Sequence, residues 1–255
     1  MSNPIHKVLS ILRKHEVKHL LMGGQACVFY GAAEFSRDTD VALLASPDNL
    51  DKLARAVTEL DADVIAVPPF CIEYLNRGHA VHFRCRHPEA DGMRLDVMSL
   101  MRGLPCFAVL WERRAIVQIG DNEIVDLLSL PDLVTAKKTQ RDKDWPMIRR
   151  LIESHYVQYC DRADRDIAKF WLAELRTPVL LRKVAEQFSD VVEQVSAQRP
   201  FLTEIYNKPD EVVEQALRAE EERERVADKA YWAPLRKELE LLRREVIKTQ
   251  ATNNL

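Results

Sequence analysis

A glycine pair at the end of an apolar run, followed by two alternating aspartates, constrains the fold of this chain most. The run is residues 20–22, the glycines are Gly23 and Gly24, and the aspartates are Asp38 and Asp40. The apolar residues before Gly23 and after Asp40 are typical of buried strands, and the gap between them accommodates a short helix. Because alternate residues of a strand point to the same side, the two carboxylates are expected to converge. The pattern predicts two strands that bring a glycine turn and a carboxylate pair together.

The carboxylates and the glycines have complementary chemistry. Two carboxylates a few ångströms apart repel each other unless a proton or a cation lies between them. Magnesium is commonly held by one or two carboxylates, and substrate phosphates complete its coordination. Glycine has no Cβ, so its backbone can approach phosphates closely. We therefore expect a site for a metal–nucleotide complex, with Asp38 and Asp40 on the metal and Gly23 and Gly24 near the phosphates.

A third aspartate, Asp96, alternates with the apolar residues Leu95 and Val97 and is predicted to lie on a later strand. If that strand lies beside the one that carries Asp40, three carboxylates meet on one surface. Asp96 would then contribute to metal binding or accept the proton of an attacking hydroxyl group. The alternative for Asp96 is a buried ion pair with a nearby arginine.

The pattern of elements changes near residue 130. Hydrophobic residues make up 47% of the 255, which is enough for a substantial core. Residues 1–130 alternate between helical and strand patterns, which predicts an α/β (α+β) fold with a mixed sheet and flanking helices. Residues 131–255 are almost wholly helical in pattern, so we predict two domains, 1–130 and 131–255. Leu235 and Leu239 begin a short apolar seam that would dock on the rest of the chain or mediate a dimer.

Charge and composition limit the partners. The formal net charge of −3 argues against a dedicated, globally basic nucleic-acid-binding protein. No run of about 18 apolar residues occurs, so we expect no membrane partner. The first residues lack the features of a signal peptide, and the five cysteines are scattered without a Cys-x-x-Cys motif. These observations predict a cytoplasmic location with reduced thiols, and they do not indicate an oligomeric state.

Taken together, the motifs resemble a known family. Gly23-Gly24, Ser36-x-Asp38-x-Asp40 and Asp96 among apolar residues look like the motifs of the polymerase-β-type nucleotidyltransferase superfamily. Residues 137–145, Lys-Lys-Thr-Gln-Arg-Asp-Lys-Asp-Trp, make the chain most similar to the AbiEii-type nucleotidyltransferases, which include toxins of toxin–antitoxin pairs. The resemblance covers about residues 18–150.

The resemblance implies a nucleotidyltransferase catalytic domain in residues 1–130, with two kinds of site residue. The residues that would bind the phosphates of an NTP are Gly23, Gly24, Ser36 and Lys137. The catalytic carboxylates, which would also bind Mg²⁺, are Asp38, Asp40 and Asp96. Such an enzyme would move a nucleoside monophosphate from an NTP to a hydroxyl group of an RNA end, a protein or a small molecule. A toxin of this type would also have an antitoxin partner.

Two other functions stay open from the sequence. Gln25 stands where the superfamily commonly has serine, and Glu34 stands where the toxin group often has arginine. Both substitutions favour a non-catalytic protein that binds a nucleotide or a partner on the same fold. An antibiotic nucleotidyltransferase is the other alternative, because the acidic segment 210–228 would attract a cationic drug.

A cluster of possible zinc ligands occurs on a predicted strand. His82, Cys85 and His87 lie within six residues of one another. The cluster lacks a fourth ligand, and alternation along a strand would separate His82 from Cys85. We therefore interpret these side chains as ordinary strand residues.

Overall fold

The computed structural model describes residues 4–119 and 123–253, and the chain divides into two compact units. The first unit comprises residues 1–29, 33–136 and 230–255. The second comprises residues 30–32 and 137–229. The predicted division into domains 1–130 and 131–255 stays a prediction.

The first unit contains a seven-stranded sheet with the order β3-β4-β5-β2-β1-β7-β6. Its strands are β1 (His19–Met22), β2 (Asp38–Leu43), β3 (Asp63–Val64), β4 (Val81–Arg84), β5 (Arg94–Met98), β6 (Ala115–Ile119) and β7 (Glu123–Leu127). The pairs β2–β5 and β1–β7 are parallel, and the other neighbours are antiparallel. The sheet is therefore mixed, which confirms the predicted fold class.

Helices lie between most of these strands along the chain. They are α1 (Pro4–Lys14), α2 (Gly23–Phe29), α3 (Pro47–Glu59), α4 (Ile72–Asn76), α5 (Phe107–Glu112) and α6 (Leu130–Lys137). α3 begins as its sequence predicts, because the Ser46 side chain caps the backbone N–H of Asn49 and Pro47 occupies the first turn. The buried stripe of α1 includes Val8 and Leu12, which are fully enclosed.

The second unit is helical. Its helices are α7 (Asp144–Tyr159), α8 (Arg165–Glu174), α9 (Pro178–Gln187) and α10 (Ser189–Ser196), with 3-10 turns at Cys160–Arg162 and Pro200–Glu204. The last helix, α11 (Asp210–Asn253), contributes residues to both units. No strand follows β7 in the part of the chain that the structure describes, which confirms the predicted helical region. Over the same residues, no helix is both long enough and apolar enough to cross a membrane.

Near the start of β2 and β5, the two faces of the sheet differ in how deeply their side chains are buried. Half-buried and buried residues alternate along the whole of β5 and along the first four residues of β2. Val41 and Val97 are on the buried face, whereas Asp40 and Asp96 lie half-buried on the other. Because strand side chains alternate between faces, the apolar positions that stabilise the sheet also aim the aspartates to one side.

Candidate functional site

Three aspartates lie on one face of two neighbouring strands. In the parallel pair β2–β5, Asp40 is directly opposite Asp96, and Asp38 is directly opposite Arg94. The antiparallel neighbour β4 places His82 opposite Asp96. Side chains at opposed positions of adjacent strands share a face. The three predicted carboxylates therefore share this face with Arg94 and His82.

The glycine turn packs against the same aspartates. Gly23 follows β1 with φ of +67°, and a Cβ atom at this position would lie 1.9 Å from Oδ2 of Asp40. A Cβ atom on Gly24 would lie 2.7 Å from the Oγ atom of Ser36. The Ser36 hydroxyl donates a hydrogen bond of 3.2 Å to the backbone oxygen of Asp38. Both glycines are therefore required by close contact with the residues of the aspartate motif.

Lys137 belongs to the second unit and is engaged there. Its Nζ atom lies 3.3 Å from Oδ1 of Asp144, whose other oxygen accepts hydrogen bonds from Thr139 and Arg141. Burial raises the pKa of Asp144, but the charges of Lys137 and Arg141 and the Thr139 hydrogen bond outweigh it and lower that pKa below its ordinary value. The contact of Lys137 with nucleotide phosphates stays a prediction.

Asp96 forms an ion pair with Arg94. From the sequence, such an ion pair was one alternative for Asp96, and a part in metal binding or proton transfer was the other. The Arg94 Nη2 atom donates to both Asp96 carboxylate oxygens, at 3.1 and 2.8 Å. Nδ1 of His82 lies 2.9 Å from Oδ1 of the same carboxylate. The Asp96 side chain is only 14% exposed.

Sequence reasoning missed Arg94 as a functional residue, although a signal was present. Arg94 precedes Asp96 by two positions on a strand, and such residues point to the same side. From the sequence, His82 is interpreted as an ordinary strand residue in a group with Cys85 and His87. In the structure His82 contacts Asp96, whereas Cys85 is buried and its pKa is raised by burial to about 11, so its thiol is protonated at neutral pH.

The donor set suits a magnesium–nucleotide complex held by two carboxylates. Among residues 4–119 and 123–253, no group of three or more His, Cys, Asp and Glu side chains is placed to hold a metal ion. Asp38 and Asp40 supply hard oxygen donors, and substrate phosphates ordinarily supply the remaining ligands of Mg²⁺. Gly23 places backbone, without a side chain of its own, beside Asp40.

A cavity of about 500 Å³ lies elsewhere in the first unit. Lys18 and His19, at the end of β1 remote from Gly23, are among its lining residues. Some polar groups in this lining have partners, since Lys18 lies over the Trp111 ring and Asp126 accepts a hydrogen bond from Arg114. Burial lowers the pKa of His19, which favours a neutral imidazole. Asp38, Asp40 and Asp96 are not among the lining residues, so this cavity is separate from the carboxylate face.

Comparison with known proteins gives a distant structural likeness. No described protein family and no curated protein matches the chain. One similar solved structure is that of an H. pylori protein described provisionally as a nucleotidyltransferase. It has 14% sequence identity to this chain and a TM-score of 0.39, and the match covers 89% of this chain and 95% of that chain. JHP933 from Helicobacter pylori has 12% identity and a TM-score of 0.37, over 91% of this chain and 95% of that chain. Similarity at this level carries no argument about activity, so the function is argued from the side chains.

Proposed function

We propose that the chain is a magnesium-dependent nucleotidyltransferase, which moves a nucleoside monophosphate from an NTP to a hydroxyl group and releases pyrophosphate. The observation that supports this proposal is the polar face of β2 and β5. Asp38 and Asp40 lie on one face of β2, Asp96 lies opposite Asp40, and Gly23 packs against Asp40. A carboxylate pair beside a glycine turn suits a metal-bound triphosphate.

Different residues of the chain would bind the metal ion and the phosphates of the NTP. When bound, Mg²⁺ neutralises the triphosphate and polarises the α-phosphorus. Asp38 and Asp40 would hold the ion, because they present two carboxylates from the same side of one strand. The backbone of Gly23 and Gly24 would contact phosphate oxygens, and the Ser36 hydroxyl would donate to one of them. Lys137 would add a cationic contact with the phosphates.

The reaction itself is a displacement at the α-phosphorus. The acceptor hydroxyl oxygen forms a bond to this phosphorus, while the bond from the phosphorus to the bridging oxygen breaks and pyrophosphate leaves. The proton of the hydroxyl group passes to a carboxylate, and Asp96 is the residue we propose for this role. The acceptor would be an RNA end, a protein side chain or a small molecule.

A non-catalytic nucleotide-binding protein is the second candidate function. It is favoured by one observation, the ion pair between Arg94 and Asp96, which engages the third carboxylate of the face. Such a protein would still bind an NTP through Asp38, Asp40 and the glycine turn, but it would transfer nothing.

A label-transfer assay tests the proposal. The full chain is incubated with Mg²⁺ and each α-labelled NTP, together with total RNA, total protein or a panel of aminoglycosides. We expect label to reach one of these acceptors with the wild type and not with Asp38→Ala/Asp40→Ala. Asp91→Ala is the matched control, because Asp91 is an exposed carboxylate in the turn before β5 and not on a strand, and it should transfer label as the wild type does.

The two candidate functions give different outcomes in this assay. Retention of the labelled NTP without transfer to any acceptor would support the binding protein and contradict the enzyme. Equal transfer by the wild type and by Asp38→Ala/Asp40→Ala would show that the activity does not arise at this face.

A further inference from the structure

We propose that the cavity at the start of β1 is a binding site for a small aromatic anion that carries a hydrogen-bond donor. The cavity has a volume of about 500 Å³ and lies at the end of β1 remote from Gly23. Sites for small molecules commonly have volumes of about 300–1,000 Å³. Because this site is separate from the carboxylate face, the inference does not depend on the proposed function.

The inner part of the cavity lining is apolar. Leu9 of α1, Val17 and Val125 of β7 line the cavity and are nearly fully buried. Asn49 also lines it, but its buried amide is engaged in hydrogen bonds with backbone groups on either side of α3. A ligand would therefore gain most by burying an apolar body here. A rigid aromatic ring does so with little loss of conformational entropy.

Lys18 provides a cation at this cavity. Its Nζ atom lies 4.6 Å from the centre of the ring of Trp111, which is another lining residue. Among the residues that the structure describes, no carboxylate forms an ion pair with this ammonium group. The ring positions the ammonium group but offers no oxygen acceptor to its three N–H donors. These donors are therefore available to an anionic ligand.

The other charged side chains of the lining leave Lys18 as the group that would attract a charged ligand. Apart from Lys18 and Asp48, the charged lining residues form ion pairs, namely Arg13 with Glu123, Lys52 with Glu16, and Asp126 with Arg114. Asp48 is exposed in the first turn of α3, where the helix dipole favours a carboxylate.

His19 provides an acceptor in the same lining. Its Nδ1 atom lies 2.8 Å from the backbone oxygen of Val17, and a carbonyl oxygen only accepts, so Nδ1 carries the proton. Burial lowers the pKa of His19, against the opposing effects of this hydrogen bond and of the Asp126 charge, so the ring is neutral at pH 7. The Nε2 atom then has a lone pair, and no described residue donates to it. A ligand N–H or O–H group would satisfy it.

Calorimetric titration of the full chain tests the inference with a matched set of probes. Indole-3-carboxylate has the ring, the anion and an N–H donor, its 1-methyl derivative lacks the donor, and indole lacks the anion. We expect indole-3-carboxylate to bind, with the 1-methyl derivative at least threefold weaker and indole at least tenfold weaker. AMP, GMP, CMP and UMP, each compared with its nucleoside, determine whether a phosphate serves as the anion instead.

Two variants locate the bound anion. Lys18→Gln should weaken binding of the anion at least tenfold. Lys14→Gln is the matched control, because Lys14 is an exposed lysine of α1 that does not line the cavity, and it should bind as the wild type does. Asp38→Ala/Asp40→Ala should also bind the anion as the wild type does.

A third variant tests the acceptor. His19→Phe should abolish the difference in affinity between indole-3-carboxylate and its 1-methyl derivative, whereas a merely structural role of His19 would leave that difference unchanged. Circular dichroism checks that each variant is folded. If His19→Phe does not fold, the two probes compared on the wild type decide whether a donor is recognised.

The outcomes separate this inference from the proposed function. Absence of binding with every probe, or equal affinity of the wild type and Lys18→Gln for a bound anion, would overturn the inference. Loss of binding in Asp38→Ala/Asp40→Ala would also overturn it, because the anion would then depend on the carboxylate face. Label transfer by the wild type would leave the enzyme standing in each case, and absence of label transfer would not affect the cavity.

Discussion

At the residue scale, Gly23 gives the sharpest prediction. Gly23→Ala places a Cβ atom onto Oδ2 of Asp40 and also requires an L-residue at a φ of +67°. Gly92→Ala is the matched control, since Gly92 has a similar φ of +75° but open space around it. The control should lose about 1–2 kcal/mol, the cost of a left-handed conformation alone. Gly23→Ala should lose clearly more and should also lose Mg²⁺–nucleotide binding.

Urea unfolding and calorimetric titration measure the two effects of this pair of variants. Equal losses of stability, with nucleotide binding retained in both, would show that the contact between Gly23 and Asp40 has no functional consequence.

Individual residues of the candidate site also differ in how far they could be predicted from the sequence. Gly23, Asp38 and Asp40 can be picked out from the sequence, because the glycine turn follows from local backbone conformation and the convergence of the two carboxylates follows from alternation along one strand. The partner of Asp96 is not recognisable in this way. Alternation puts residues 94 and 96 on the same face of a strand, but whether the carboxylate contacts Arg94 or a metal ion depends on side-chain rotamers and on His82 from another strand.

At the element scale, Asn49 joins α3 to the ends of β1 and β2. Its buried amide donates to the backbone oxygens of Lys18 and Leu44, and its side-chain oxygen accepts from the Lys18 N–H. Asn49→Ala leaves these backbone groups without their partner and should lower the free energy of unfolding by about 2–4 kcal/mol. Asp51→Ala, at an exposed position of the same helix, should change it by less than about 0.5 kcal/mol.

Chemical denaturation followed by circular dichroism distinguishes these two variants of α3. A loss in Asn49→Ala no larger than that in Asp51→Ala would contradict the role assigned to the buried amide.

The sequence predicts the positions of strands along the chain better than it predicts which strands are neighbours in the sheet. Apolar alternation predicts strands over residues 80–85 and 93–99, and β4 and β5 lie within one residue of these bounds, because alternation is a local signal. The pairing of β5 with β2 is a contact between distant parts of the chain, and no local pattern specifies it. The sequence could state only that the carboxylates would meet if these strands were neighbours, and the register places Asp40 opposite Asp96.

At the scale of the whole molecule, the end of the chain returns to the first unit. Residues 230–253 belong to the first unit, and Tyr231 and Leu235 of α11 lie near Gly78. The sequence indicated either docking or dimerisation for the apolar seam that starts at Leu235. It could not decide between them, because a long helix rich in charged residues is also typical of an exposed element. The contacts that join this part of α11 to the rest of the first unit include polar ones made by Glu238, a residue distant in sequence from its partners.

Glu238 makes these contacts and carries the last prediction. It contacts Arg77, and its other oxygen lies 2.8 Å from Nε2 of His79, which is fully buried. Glu238→Gln removes a charge from this group and should lower the stability of the first unit by about 2 kcal/mol at pH 7. Glu240→Gln is the control, because Glu240 is exposed and pairs only along its own helix with Arg244, as far as the described contacts show.

The pH dependence of stability gives Glu238 a second test. The hydrogen bond from His79, followed by the charges of His79 and Arg77, lowers the pKa of Glu238 despite the opposing effect of burial. A carboxyl group whose pKa is lower in the folded state stabilises it fully above the ordinary glutamate pKa of about 4.3. That contribution is lost as the pH falls through the lower, folded-state pKa. Urea unfolding midpoints of the wild type and of Glu238→Gln should therefore converge as the pH is lowered from 7 to 3. A constant difference between the two midpoints would show that the charge of the Glu238 carboxylate does not stabilise the packing of this part of α11 in the first unit.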